Sequence, residues 1–172
     1  KNNNMKYFGK IMAALFLLAS FTLTAQEINS SKSTIKFLAG KTEGTLGGLK
    51  GTATFDEKNL ADASFDVTIE IKTINTGTEK RDDHLRTADF FDVGKYPTAS
   101  FASTGATAIN GGFETKGMLS MHGVKKNAKI KFTYDAAKKK FVGKMTVDSS
   151  DFQIGKKGKY DGVKVDIICY LN

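Results

Sequence analysis

The chain has 172 residues and a formal net charge of +8, from 26 lysines and arginines against 18 aspartates and glutamates. This length suits one domain with its own core. The lone cysteine, Cys169, excludes an internal disulfide. The basic residues are not interleaved with exposed aromatic residues, so no nucleic-acid partner is expected.

The first 25 residues have the order of a secretory signal. Lys6 and Lys10 precede an apolar run over residues 11–23, and Ala25 lies just after it. The run is shorter than the roughly 20 residues that span a bilayer as a helix. We therefore predict that residues 1–25 are upstream residues plus a signal peptide cleaved near Ala25, which would deliver the protein to the periplasm or outside the cell. Residues 26–172, with a net charge of +5, are the predicted single domain.

Strand patterning dominates the rest of the chain. In residues 64–72, Phe65, Val67, Ile69 and Ile71 alternate with polar residues, as in a strand with one buried face. The same period recurs in seven other segments, namely residues 33–38, 49–55, 99–103, 113–121, 128–134, 141–147 and 163–171. Glycine-rich turns separate them, and no long helical period occurs. The pattern predicts an all-β fold of about eight strands, and the mixture of bulky and small inward residues favours a barrel over a sandwich.

Residues 76–103 interrupt this series after Ile71 and hold most of the unusual chemistry. Asp82-Asp83 and Asp89 are positioned to cap short helical turns, so a short helical segment is predicted here. Large apolar residues follow, including Phe90 and Phe91, which are too many for a freely solvated loop. We predict that this segment covers one end of the barrel as a lid or a plug.

Three polar residues of the same segment, Arg81, His84 and Arg86, are candidates for a polar mouth. Arginine binds phosphate or carboxylate through two parallel bonds. Pairing with nearby aspartates to brace the loop is the alternative role, and both roles can hold at once. The histidine spacing does not match a metal motif, and no serine hydrolase or phosphate-loop motif is present. No metal, cofactor or catalytic residue is therefore predicted.

The inward positions of the strands define a candidate apolar interior. These residues would either fill the barrel or line a slot for a ligand, and the pattern leaves both open: Phe37, Phe55, Phe65, Val67, Ile69, Phe90, Phe91, Phe101, Phe113, Leu119, Met121, Phe132 and Met145. Cys169 falls in the last alternating strand, where a buried structural thiol is expected.

Three segments of the chain carry recognisable motifs. The first runs from Thr76-Gly77 through Arg81-Asp82-Asp83-His84-Leu85-Arg86, Asp89-Phe90-Phe91-Asp92-Val93 and Lys95-Tyr96-Pro97 to Phe101-Ala102-Ser103. The second is residues 117–126, GMLSMHGVKK, and the third is residues 150–155, SDFQIG. Together they resemble the YceI-like family of periplasmic polyisoprenoid-binding proteins, and the likeness spans essentially all of residues 26–172 in the same order.

The resemblance implies an eight-stranded antiparallel lipocalin-like β-barrel whose interior holds an isoprenoid chain, such as a polyprenyl lipid or a quinone tail. It implies an exported carrier or sequestering protein and not an enzyme. Transient contact with a membrane surface is compatible with that role. Two alternatives stay open. One is a solid-core, stress-related interaction module without a lipid ligand, and the other is a lipid-modifying enzyme that uses His84 and an aspartate. The oligomeric state is not predicted.

Overall fold

The computed structural model describes residues 24–172. The predicted signal segment therefore lies outside the described residues, apart from Thr24 and Ala25. Within residues 24–172, no helix has the length and apolar composition needed to cross a membrane.

The described residues form one curled antiparallel sheet and one α-helix. The helix is α1, Glu79–Arg86. The strands are β1 Gln26–Glu27, β2 Thr34–Ala39, β3 Thr42–Gly47, β4 Lys50–Thr54, β5 Ser64–Glu70, β6 Thr98–Thr104, β7 Thr107–Ile109, β8 Gly112–Met121, β9 Val124–Asp135, β10 Lys140–Val147 and β11 Val163–Tyr170. Three short 3-10 turns lie at Leu60–Asp62, Ile71–Thr73 and Ser149–Phe152.

The sheet has the strand order β1-β4-β5-β6-β8-β9-β10-β11-β2-β3, and β7 pairs with β8 beside this path. All pairs are antiparallel, and most join strands that are adjacent in sequence. In β5, whose inward residues include Ile69, the register places Val67 opposite Phe101 of β6. Alternate residues of each strand thus point to a shared interior, which confirms the predicted all-β antiparallel barrel.

Two backbone connections tie the free edges of the curled sheet. On β3, Thr45 exchanges two hydrogen bonds with Asn75, at 2.8 and 3.0 Å. At the other edge, just after β1, the amide of Ile28 donates to the carbonyl oxygen of Gly51 in β4 at 3.0 Å, and the amide of Asn29 donates to that of Tyr170 in β11 at 2.7 Å. The closure is therefore made by short bridges instead of a continuous ladder, and it leaves little of either edge free for pairing.

The strand count differs from the predicted eight, because the described part of the chain contains eleven strands. Two of the additional strands, β1 and β7, have only two and three residues, too few to show a period. The third is β3, which lies in the glycine-rich stretch between two of the predicted strands. Gly44 of β3 lies opposite Phe37 of β2, and a Cβ at Gly44 would come within 2.7 Å of the Phe37 ring. The glycine there makes room for an aromatic ring across the strand pair.

Helix α1 begins four residues earlier than a cap at Asp82 predicts. Its N-cap is Thr78, without a side-chain capping hydrogen bond. Asp82 is therefore not a cap. It lies inside the helix, where its carboxylate accepts hydrogen bonds from Thr76, at 2.8 Å from the amide and 2.6 Å from Oγ1. Asp82 holds the chain that enters α1 against the helix.

Candidate functional site

The interior of the barrel is hollow at one end and packed at the other. A cavity of about 520 Å³ lies inside the barrel, and its volume is within the range of small-molecule sites. Its lining consists almost wholly of apolar side chains from strands on opposite sides of the barrel wall. Exposed residues of α1 and of residues 155–162 also line it, so it reaches the surface there. We call this end the mouth.

Eleven of the thirteen predicted interior residues line the cavity: Phe37, Phe65, Val67, Ile69, Phe90, Phe91, Phe101, Leu119, Met121, Phe132 and Met145. They come from β2, β5, β6, β8, β9, β10 and the segment after α1, so the lining is assembled from distant parts of the chain. The period-2 pattern identified the nine that lie in strands, because lining a cavity and filling a core both require an inward apolar side chain. Phe90 and Phe91 were identified by the apolar content of the segment after Ile71.

The remaining two, Phe55 and Phe113, lie beneath the cavity instead of along it. Their rings meet edge to face at 5.0 Å, and Phe55 also contacts Phe132 at 5.3 Å and Phe141 at 5.5 Å. Tyr134 packs against Phe141 with the ring centroids 4.5 Å apart. This aromatic cluster forms a floor that closes the far end of the barrel. Periodicity could not distinguish the floor from the walls, because both sets of side chains point inward.

The mouth contains two of the three predicted polar residues. Arg81 and His84 of α1 line the cavity, while Arg86 does not. The guanidinium of Arg86 turns toward the backbone, donating to the carbonyl oxygens of Lys72 at 3.1 Å and Ile74 at 2.9 Å, and it pairs with Asp83 at 2.8 Å. Arg86 therefore anchors α1 to the 3-10 turn Ile71–Thr73 and to Ile74 directly after it, and its placement at the mouth is corrected.

Arg81 is held by threonines instead of the aspartates that residue type had offered as partners. Its Nε donates to Oγ1 of Thr76 at 2.8 Å, and its Nη2 donates to the Thr76 carbonyl at 3.0 Å and to Oγ1 of Thr78 at 3.1 Å. Asp82 accepts from the same Thr76. The neutral threonine thus separates the two charges, and the exposed guanidinium keeps a position at the mouth.

His84 forms an exposed pair with Asp89. The Nε2–Oδ2 distance is 3.4 Å, and the side chains are 59% and 79% exposed. The His84 ring also meets the Phe90 ring edge to face at 5.0 Å. The pair is solvent-exposed, and its two atoms are farther apart than the roughly 2.7–2.9 Å of a charge-assisted hydrogen bond. The geometry gives His84 a role in positioning Phe90.

Sequence reasoning missed one part of the site, the loop before β11. Lys159 and Tyr160 line the cavity at the mouth. The Tyr160 ring lies 5.9 Å from Phe90, and Gly155 is so close to Phe90 that a Cβ there would approach the ring to 2.9 Å. Three glycines within eight residues of a loop, around an aromatic residue, were the available signal, since such a loop can fold closely over a neighbouring ring.

His122 contacts the backbone and an aromatic ring, and Cys169 is buried. Nδ1 of His122 lies 2.9 Å from the carbonyl oxygen of Phe152, and the His122 ring meets the Tyr96 ring edge to face with the centroids 4.6 Å apart. Burial raises the pKa of the Cys169 thiol to about 11, with Ser33 acting weakly in the opposite direction. In the part of the chain that the structure describes, no group of three or more histidine, cysteine or acidic side chains is arranged to hold a metal ion.

Comparisons with known proteins agree with this architecture. The UPF0312 protein VPA0850 of Vibrio parahaemolyticus serotype O3:K6 is 31% identical over 134 residues, which are 73% of this chain and 71% of that protein. Among solved structures, Burkholderia cenocepacia BcnA has a TM-score of 0.70 at 23% identity and covers 84% of this chain and 98% of its own. A polyisoprenoid binding domain from Saccharophagus degradans has a TM-score of 0.63 at 15% identity, with 86% and 98% covered. These two similarities show the fold. The family described as the YceI-like domain matches residues 26–169, and the chain therefore belongs to the YceI-like domain family.

Proposed function

We propose that this protein is an exported lipid-binding protein that holds an isoprenoid chain in its barrel, as a carrier or a sequestering protein and not as an enzyme. The observation that carries the proposal is the apolar cavity of about 520 Å³. A solid core, which the interaction-module alternative requires, does not fit a cavity of this size. The name of the Saccharophagus degradans neighbour, a polyisoprenoid binding domain, supports the choice of ligand class.

The physical argument rests on the lining. Each methylene transferred from water to an apolar site contributes about 0.8 kcal/mol. A few prenyl units therefore gain enough to offset the roughly 4–15 kcal/mol of freedom lost on association. The mouth leaves one end of such a ligand in contact with Arg81, His84 and Lys159, where a polar head group would remain hydrated.

The direct test is uptake of a dansyl-labelled farnesyl probe by protein purified with delipidation, followed by fluorescence. We expect saturable binding at one site per chain, displaced by a longer unlabelled polyprenol. A dansyl-labelled saturated acyl chain of equal carbon number is the matched control. Absence of saturable uptake, together with no lipid recovered by native mass spectrometry from protein of its own host, would rule the proposal out. If the acyl control binds equally well, the ligand class is lipid chains in general and not isoprenoids specifically.

A further inference from the structure

A second feature of the mouth is a basic loop, residues 155–162, with the sequence GKKGKYDG. Its three lysines, Lys156, Lys157 and Lys159, are exposed. We propose that this basic loop docks the protein on anionic phospholipid bilayers, so that the mouth of the cavity faces the membrane. The inference concerns a surface and not the cavity, and it does not require that the cavity hold an isoprenoid.

The basic loop is fixed at its base. Asp161 accepts hydrogen bonds from the amide of Ser150 at 2.9 Å and from its hydroxyl at 2.7 and 2.8 Å. The amide of Gly162 donates to Asp148 at 2.7 Å. These bonds hold the C-terminal end of the basic loop against residues 148–150. The same hydrogen bonds from Ser150 lower the pKa of Asp161.

The basic loop has three lysines and one aspartate, Asp161, so its formal net charge is +2. Asp151 pairs with Lys126 at 3.1 Å, while Asp161 accepts hydrogen bonds from the neutral Ser150 and its charge acts on Lys157. Within residues 24–172, Lys156 and Lys157 form no ion pair, and the Lys159 ammonium lies over the Tyr160 ring at 5.0 Å. Each lysine that reaches an anionic membrane surface contributes about 1 kcal/mol, or about fivefold in partitioning.

The position of the basic loop favours a bilayer over a nucleic acid. Lys159 and Tyr160 line the mouth, so the charged surface and the apolar opening are continuous. A bilayer has anionic head groups that match the lysines and a hydrocarbon layer beneath them that matches the apolar opening. Tyrosine side chains are suited to the boundary between these two layers. A single-stranded nucleic acid would need exposed rings for stacking, whereas Tyr160 is half-buried against Phe90.

The test compares two triple variants for binding to vesicles without prenyl lipid. Lys156→Gln/Lys157→Gln/Lys159→Gln removes the charge of the basic loop. Lys138→Gln/Lys139→Gln/Lys140→Gln removes the same charge from the β9–β10 turn, at the opposite end of the barrel near the aromatic floor. All proteins are expressed with the same residues 1–25 in the same host, so the N-terminus is identical in each. Co-sedimentation is measured with phosphatidylcholine vesicles and with vesicles that also contain phosphatidylglycerol, and thermal unfolding checks that each variant folds.

We expect the parent to prefer the phosphatidylglycerol vesicles, with binding weakened by added salt. The basic-loop variant should lose on the order of 100-fold in partitioning, since three lysines contribute about fivefold each. The opposite-end variant should lose no more than about threefold, because its charges lie beyond a Debye length of roughly 8–10 Å from the docked surface. Equal losses in the two variants, or no preference of the parent for anionic vesicles, would overturn the proposal. So would binding of single-stranded DNA that is tighter than vesicle binding and is lost in the basic-loop variant.

Discussion

At the scale of single residues, Asp82 shows how a buried charge can organise the site without facing it. Its side chain is only 6% exposed, and its carboxylate satisfies both the amide and the hydroxyl of Thr76. The same hydroxyl accepts from Arg81. Removing the Asp82 carboxylate is costly, because the amide and the hydroxyl of Thr76 would then lose the acceptor to which they donate.

We predict that Asp82→Ala lowers the free energy of unfolding by about 2–3 kcal/mol, since hydrogen bonds to a charged group contribute about 1.5–3 kcal/mol. Asp82→Asn, which keeps one acceptor oxygen, should lose less. The neighbouring Asp83→Ala is the matched control, because Asp83 is 67% exposed and its ion pair with Arg86 contributes at most about 1 kcal/mol. Urea unfolding measures all three, and similar losses for Asp82→Ala and Asp83→Ala would contradict the role assigned to Asp82.

At the scale of elements, the segment after α1 combines a lid and a plug in consecutive residues. Phe91 packs against the main hydrophobic core, together with Val93. Phe90 lies between His84 and Tyr160 at the mouth. Both rings line the cavity, yet only one is part of the packing that holds the barrel together.

Phenylalanine-to-alanine variants should separate these roles. Phe91→Ala should lower the free energy of unfolding by about 2 kcal/mol, below the roughly 3–5 kcal/mol of fully buried phenylalanines because Phe91 is half-buried. Phe90→Ala should cost less than about 1 kcal/mol but release a bound prenyl probe about tenfold faster. Thermal unfolding and stopped-flow displacement measure the two effects. If Phe90→Ala destabilises the protein as much as Phe91→Ala does, the lid assignment is wrong.

The elements also show where sequence reasoning succeeds and fails. Alternation in β5 predicted an inward face correctly, because bulky side chains at every second position leave a clear period. In β3, glycine occupies positions where an alternating pattern would place apolar side chains, so no period is visible. The reason for glycine at position 44 is the Phe37 ring, which lies opposite it on β2. Likewise, Arg86 and Arg81 look equivalent in the sequence. The 3-10 turn after β5 and the residue behind it supply the carbonyl oxygens of Lys72 and Ile74 to Arg86 and not to Arg81.

At the scale of the whole molecule, the balance between packed floor and open cavity is the property that sequence could not predict. Phe55 and Phe65 alternate with polar residues in the same way, yet Phe55 belongs to the floor and Phe65 also lines the cavity. Whether inward side chains meet depends on the curl of the sheet and the stagger of its strands. The side chains that line the cavity make fewer apolar contacts than they would in a filled core. The open cavity therefore lowers the free energy of unfolding of the protein.

This trade-off leads to a prediction for Val67, which is half-buried and faces the cavity from β5. Val67→Phe should fill part of the cavity and raise the free energy of unfolding by about 0.5–2 kcal/mol, as cavity-filling substitutions commonly do. Because the added ring competes with the ligand for the same space, affinity for a prenyl probe should fall at least about tenfold. Met118→Phe is the matched control, since Met118 is 39% exposed on the outer surface. Thermal unfolding and probe titration should show no comparable change for this variant. A Val67→Phe protein that is less stable and still binds the probe normally would mean that the ligand lies elsewhere.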